Sequence, residues 1–210
     1  MLGCEKNDMD KEFLVPEFSA ARLHEKLERL TAAFEAKGIH VSKSLLPPLP
    51  ENEVRARCHW FPRELSEEII ALYGWSGGQE KDAWEEEYPF WFRDNSFSSL
   101  TRAETEYRSM MESYGSNPAD HDLLKYCFPF ASFNGSWFVL PTKGHPLDNR
   151  LPKPVISVLE GVDIYFYSIE SMIDTCIEWV GHPSYAEDYT LLHSIELEIW
   201  RKYNPGIFEN

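Results

Sequence analysis

The sequence predicts a single α+β domain: an antiparallel sheet covered by helices, with added N- and C-terminal helices. Three observations lead there. The aromatic-rich runs Cys127-Phe128-Pro129-Phe130-Ala131-Ser132-Phe133 and Ser136-Trp137-Phe138-Val139-Leu140 flank Asn134-Gly135, a dipeptide suited to the two positive φ angles of a type I′ hairpin turn. The runs Pro154-Val155-Ile156-Ser157-Val158-Leu159 and Val162-Asp163-Ile164-Tyr165-Phe166-Tyr167 flank Glu160-Gly161 and predict a second strand pair. Amphipathic helices stand before and after these hairpins without regular strand-helix-strand crossovers, and they are expected to cover one face of the sheet.

In chain order, residues 1–16 are polar and lack periodicity. Ser19 is placed to cap a helix in which Leu23, Leu27, Leu30 and Phe34 share one face before Gly38. From Ile39 to Phe61 the prolines of Pro47-Pro48-Leu49-Pro50 exclude a continuous helix or central strand, so a connecting loop is expected. Pro62 fits the first turn of a helix carrying Leu65, Ile69, Leu72 and Tyr73, which the glycines after Tyr73 end. Pro89-Phe90-Trp91-Phe92 reads as a short strand. Thr101 and Glu104 have the spacing of a capping box, opening a helix with Tyr107, Met110 and Met111 that Gly115 stops. After the hairpins, Ser168 caps a helix with Ile169, Met172, Ile173, Cys176, Ile177 and Val180 inward. A last helix runs from about Leu191 to Tyr203 with Leu192, Ile195 and Ile199 on one stripe, and Asn204-Pro205-Gly206 stops it.

With 210 residues, of which 43% are hydrophobic, the chain is long enough to bury a substantial core. The 35 Asp and Glu against 20 Lys and Arg give a formal charge of −15, which repels phosphate backbones and anionic membranes and favours a cationic partner. Nucleic acid and membrane are therefore not expected as direct partners. Cys4, Cys58, Cys127 and Cys176 are widely spaced, with neither a C-x-x-C pair nor a histidine at zinc-site spacing, so free thiols in a reducing cytoplasm are expected. Cys4 follows Met1-Leu2-Gly3 without a basic and apolar leader before it, so secretion is not expected either.

No motif reads as a catalytic set. Gly74-Trp75-Ser76-Gly77-Gly78 matches G-x-S-x-G by letter, but a nucleophile elbow needs a strand before it and a helix after it. Here a helix precedes, and a helix-terminating loop with Trp75 as a core or groove-wall aromatic is the plainer reading; a serine hydrolase using Ser76 is kept as a minor alternative. His24-Glu25-Lys26-Leu27-Glu28 opens like a zinc-protease helix, yet Glu28 stands where the second histidine belongs. No metal, cofactor or catalytic residue is assigned. The candidate contact residues are Glu80, Asp82, Trp84, Glu85, Glu86, Glu87 and Tyr88, where carboxylates adjoin aromatics able to act as desolvated anchors. Glu187 and Asp188, between Tyr185 and Tyr189, repeat that chemistry. Against both stands a solvated loop with its aromatics tucked inward.

The ordered series from about Pro62 to Val180 resembles the SUKH superfamily, known for bacterial immunity proteins and a fungal cell-wall-assembly regulator. The segments carrying the match are Leu72-Tyr73-Gly74-Trp75-Ser76-Gly77-Gly78, Phe90-Trp91-Phe92, Ser99-Leu100-Thr101-Arg102-Ala103-Glu104, Phe128-Pro129-Phe130-Ala131-Ser132 with its Asn-Gly turn, Pro154-Val155-Ile156, and Ser168-Ile169-Glu170-Ser171-Met172. Ser76-Gly77-Gly78 stands where family members often show a His-Asn-Gly-like tripeptide, and the helix beyond Leu191 is an addition. The resemblance implies a non-enzymatic α+β domain that binds another protein, commonly a toxin encoded beside it, and blocks its active site. The expected division is residues 1–61 as an N-terminal helix and proline-rich loop packed on the main body, 62–180 as the SUKH-like domain, and 181–210 as a helical extension. A housekeeping scaffold or regulator binding an endogenous protein is the alternative function.

Overall fold

The computed structural model describes residues 17–79, 92, 95–114, 117–150, 152–159, 161–185 and 189–207. The described elements are α1 (Ala20–Ala36), a 3₁₀ turn (Val41–Ser44), α2 (Glu51–Arg57), α3 (Glu67–Trp75), β1 (Ser96–Phe97), α4 (Leu100–Tyr114), α5 (Pro118–Leu124), β2 (Cys127–Phe133), β3 (Ser136–Pro141), β4 (Val155–Val158), β5 (Val162–Phe166), α6 (Ile169–Gly181) and α7 (Tyr189–Tyr203). The mixed α+β single domain is thus the architecture observed. Its strands lie in the order β1-β2-β3-β4-β5, an antiparallel meander in which each strand pairs with its neighbour in sequence.

The central hairpin forms because Asn134 and Gly135 both take positive φ, 45° and 82°, which sets Phe133 opposite Ser136 and Ser132 opposite Trp137. Pro129 interrupts β2 with a residue that has no N–H. The ladder answers with a register shift between Pro129 and Ala131. Alternation then splits the strands between two cores. Phe128, Phe138, Leu140, Val155 and Phe166 pack with α1, α3 and α6, while Cys127, Trp137, Val139, Ile156 and Val158 pack with Met110 of α4 and Leu124 of α5. Helices therefore meet both faces of the sheet, where the sequence led us to expect one. The period-two pattern of β3 already has large apolar residues at consecutive positions, which is what a strand buried on both sides requires.

Helix α1 belongs to the first core. Ser19 Oγ accepts the Arg22 N–H at 3.4 Å, and Leu23, Leu27, Leu30 and Phe34 are fully buried, each contributing about 1.5–3 kcal/mol by removal from water. Across from it on α6, Glu170 takes a two-pronged hydrogen bond from Arg22 at 2.6 and 2.7 Å, and Asp174 pairs with Lys26. His24 donates from its ring to the Ala71 carbonyl at 2.7 Å, joining α1 to α3. The Ser168 cap of α6 is a reciprocal box with Ser171.

Four local expectations need correction. The 39–61 loop contains the 3₁₀ turn and α2, which starts directly after Pro50; acidic Glu51 and Glu53 at its start and Arg55 and Arg57 at its end suit the helix dipole. Helix α3 begins after Ser66 rather than at Pro62. The cap of α4 is Ser99, whose Oγ accepts the Arg102 N–H at 3.4 Å; Thr101 lies inside the first turn and Glu104 pairs with Arg108. Helix α7 begins at Tyr189, slightly before Leu191. Of the expected strand at 89–92 only Phe92 is described; it exchanges backbone hydrogen bonds with Asn95 at 3.0 Å. Gly115 lies outside the described residues.

Candidate functional site

Three prolines keep residues 47–50 extended, and they also strip the segment of hydrogen-bond donors. The donors that remain are taken by the end of α3. Leu46 N–H reaches the Gly78 carbonyl at 2.8 Å, and Leu49 N–H reaches that of Tyr73 at 3.0 Å. In return Gly77 N–H donates to the Pro47 carbonyl at 3.0 Å. The two glycines permit this approach. A Cβ on Gly77 would sit 2.9 Å from the Pro47 carbonyl oxygen, and one on Gly78, where φ is +90°, would sit 2.6 Å from that of Ser98. The segment Tyr73-Gly74-Trp75-Ser76-Gly77-Gly78 is therefore a dock for the proline-rich ridge.

Between that ridge and the first turns of α4 lies an open groove of about 950 Å³. Leu46, Pro47, Pro48, Leu49 and Leu100 give it apolar walls, and Gly77, Thr101, Arg102, Thr105 and Glu106 line it together with Glu53 and Arg57 of α2. Arg57 pairs with Glu53 one turn earlier, and Arg102 Nε stands 3.2 Å from Glu106 Oε1. The other Glu106 oxygen accepts the Trp137 indole N–H at 2.6 Å, so the second core fixes the carboxylate that faces the groove. An open groove of mixed polar and apolar lining, with its charged groups already paired, suits a polypeptide segment better than a reaction that moves charge.

Ser76, which precedes Gly77 and does not itself line the groove, is 2% exposed, its hydroxyl donating to the Leu46 carbonyl at 2.9 Å and accepting the Gly78 N–H at 3.2 Å. A helix precedes it, as the motif analysis expected, and its one proton is held by a backbone carbonyl. Trp75 is half-buried and donates its indole N–H to Glu28 of α1 at 2.7 Å. It belongs to the α1–α3 contact and does not line the groove. Among the described residues no three His, Cys, Asp or Glu side chains converge as metal ligands.

The predicted contact residues Glu80, Asp82, Trp84, Glu85, Glu86, Glu87, Tyr88, Glu187 and Asp188 lie outside the described residues. Gln79, the residue just before the first group, is described and fully buried. Its N–H donates to the Phe97 carbonyl at 2.8 Å, its Oε1 accepts the Phe97 N–H at 2.9 Å, and its Nε2 donates to Ser44 at 3.0 Å. Gln79 is thus held in place directly after Gly77 and Gly78. Tyr185 turns inward, edge-on to Trp179 at 4.8 Å, and burial pushes its phenol pKa up to about 12. The groove itself was not foreseen, because its walls come from residues 46–49 and 99–106, which no sequence spacing connects.

No described helix is long and apolar enough to cross a membrane. No protein-family model matches this chain, and no curated protein matches it either.

Proposed function

We propose that the chain is an immunity protein that binds a cognate, cationic toxin and neutralises it by protein–protein contact, without itself making or breaking bonds. The observation that carries this reading is the ordered SUKH-like series. Apart from the aromatic run at 90–92, its segments fall on α3 and its corner, α4, β2, the lead into β4 and the start of α6, in that order. The acidic balance of 35 to 20 adds support, since complementary fields speed capture of a cationic partner. A nuclease is the toxin class whose cleft carries that charge. The carboxylates of the 80–88 run with Trp84 and Tyr88 are the proposed contacts, and the run follows Gly77 of the groove wall by three residues in sequence.

Co-expression with the toxin-like protein encoded beside it tests this. Protection of the host cell, lost when Glu85, Glu86 and Glu87 are changed to lysine, supports the proposal; no protection by the unaltered chain removes it. A housekeeping scaffold is the second reading, favoured by the resemblance to the fungal regulator. An isolated gene with no toxin-like neighbour would favour it.

A further inference from the structure

The segment 142–150 joins β3 to the lead into β4 and holds a histidine that neither the groove nor the proposed contacts use. His145 is 5% exposed, and its Nδ1 accepts the Leu147 N–H at 3.0 Å. A neutral ring that accepts at Nδ1 carries its proton on Nε2, and Nε2 is itself buried with no hydrogen-bond partner among the described residues. The backbone folds tightly around the ring: His145 N–H donates to the Thr142 carbonyl at 3.0 Å, and Asp148 N–H to the His145 carbonyl at 2.9 Å. Side chains moor the segment to the first turn of α3 and to the residues just before it. Lys143 pairs with Glu64 at 2.6 Å, and Lys153 stands 3.1 Å from Asp148 and 3.9 Å from Glu68.

We propose that His145 is a proton-operated latch on this segment: a proton taken from solvent onto Nδ1 turns an acceptor into a donor, breaks the Leu147 hydrogen bond, and frees residues 142–150 in mildly acidic solution. The latch goes beyond the binding proposal and does not depend on it. The charged group acting on the ring is Asp148 on its own segment; around it Lys153, before β4, pairs with Asp148 and with Glu68 in the first turn of α3, and Lys143 pairs with Glu64 ahead of α3. Arg63 lies 4.5 Å over the Tyr126 ring, against which Gly144 packs. Burial, the larger influence, holds the imidazole below its ordinary 6.5, while the Asp148 carboxylate pulls the other way. With the folded value depressed, the native state binds fewer protons than the unfolded chain as pH drops below about 6.5. The stabilisation is complete above that pH and is lost as pH falls through the folded value.

Amide exchange at Leu147, corrected for intrinsic rates, tests the latch. Protection should fall about tenfold or more between about pH 7.5 and about pH 5. In His145→Asn the amide oxygen still accepts the N–H two residues on, as in an Asx turn, but cannot titrate, so protection there should change less than about twofold. Ring ¹⁵N shifts of the unaltered chain near neutral pH should show Nε2 protonated and Nδ1 free to accept. Flat protection in the unaltered chain, an equal fall in His145→Asn, or a proton on Nδ1 near neutral pH would each overturn the proposal.

Discussion

The Ser76 hydroxyl joins the corner of α3 to the proline-rich ridge, donating to the Leu46 carbonyl at 2.9 Å while accepting the Gly78 N–H at 3.2 Å. The Gly78 bond is buried and the Leu46 bond partly so, so Ser76→Ala should lower unfolding stability by about 1–2 kcal/mol. Urea titration reads that loss. Partner binding by the folded variant should stay within about twofold of the unaltered chain. A serine hydrolase would instead lose its activity with this substitution.

Two glycines near the end of α3, Gly74 one residue before it and Gly78 three residues after it, should respond with opposite signs. Gly78→Ala places a methyl 2.6 Å from the Ser98 carbonyl oxygen on a backbone with φ of +90°, and should cost about 2–4 kcal/mol. Gly74→Ala meets nothing within 4 Å and lies inside α3, where the better helix former should add up to about 1 kcal/mol. Thermal or denaturant midpoints of the two variants should straddle the starting protein.

Asn204 fastens the end of α7 to α6 and β5. Its Oδ1 accepts Tyr167 N–H at 2.8 Å and Ser171 Oγ–H at 2.9 Å, and its Nδ2 donates to the Trp200 carbonyl at 2.9 Å, all with the residue 1% exposed. Asn204→Ala strands the Tyr167 N–H, while the Trp200 carbonyl keeps the backbone N–H of residue 204, and should cost about 1–3 kcal/mol in denaturant unfolding. Exchange protection should fall first in α7.

The thiols of Cys58 and Cys127 are pushed up to about 12, chiefly by burial, and Cys176 is 3% exposed. Thiolate is the reacting form, so brief iodoacetamide treatment at about pH 8 should leave all three unmodified in the native protein. The same treatment in guanidinium should modify every one, as intact mass would show.

Elements whose signal is local were legible in the sequence. Ser19 with Leu23, Leu27, Leu30 and Phe34, Asn134-Gly135, and Ser168 each specify their own geometry within a few residues, and the structure follows them. Short elements were not. Helix α2 buries only Val54, and β1 spans Ser96–Phe97, so neither builds a periodic pattern to read. Thr101 and Glu104 fit a capping box by letter, but Ser99, two residues earlier, takes the cap. The second helical face of the sheet depends on Met110 and Leu124 meeting Trp137 and Val139, a relation between distant segments. Of the candidate site, the acidic chemistry was read from the sequence, whereas the groove exists only once Gly77 has docked the prolines.

The most direct measurement is inhibition. A tagged copy of the chain is used to capture its partner from the native host, and the captured protein's own activity is assayed while purified chain is added back. Loss of activity in step with added chain, complete at one chain per partner, is the predicted result. A captured protein that keeps its full activity under excess chain would contradict the account.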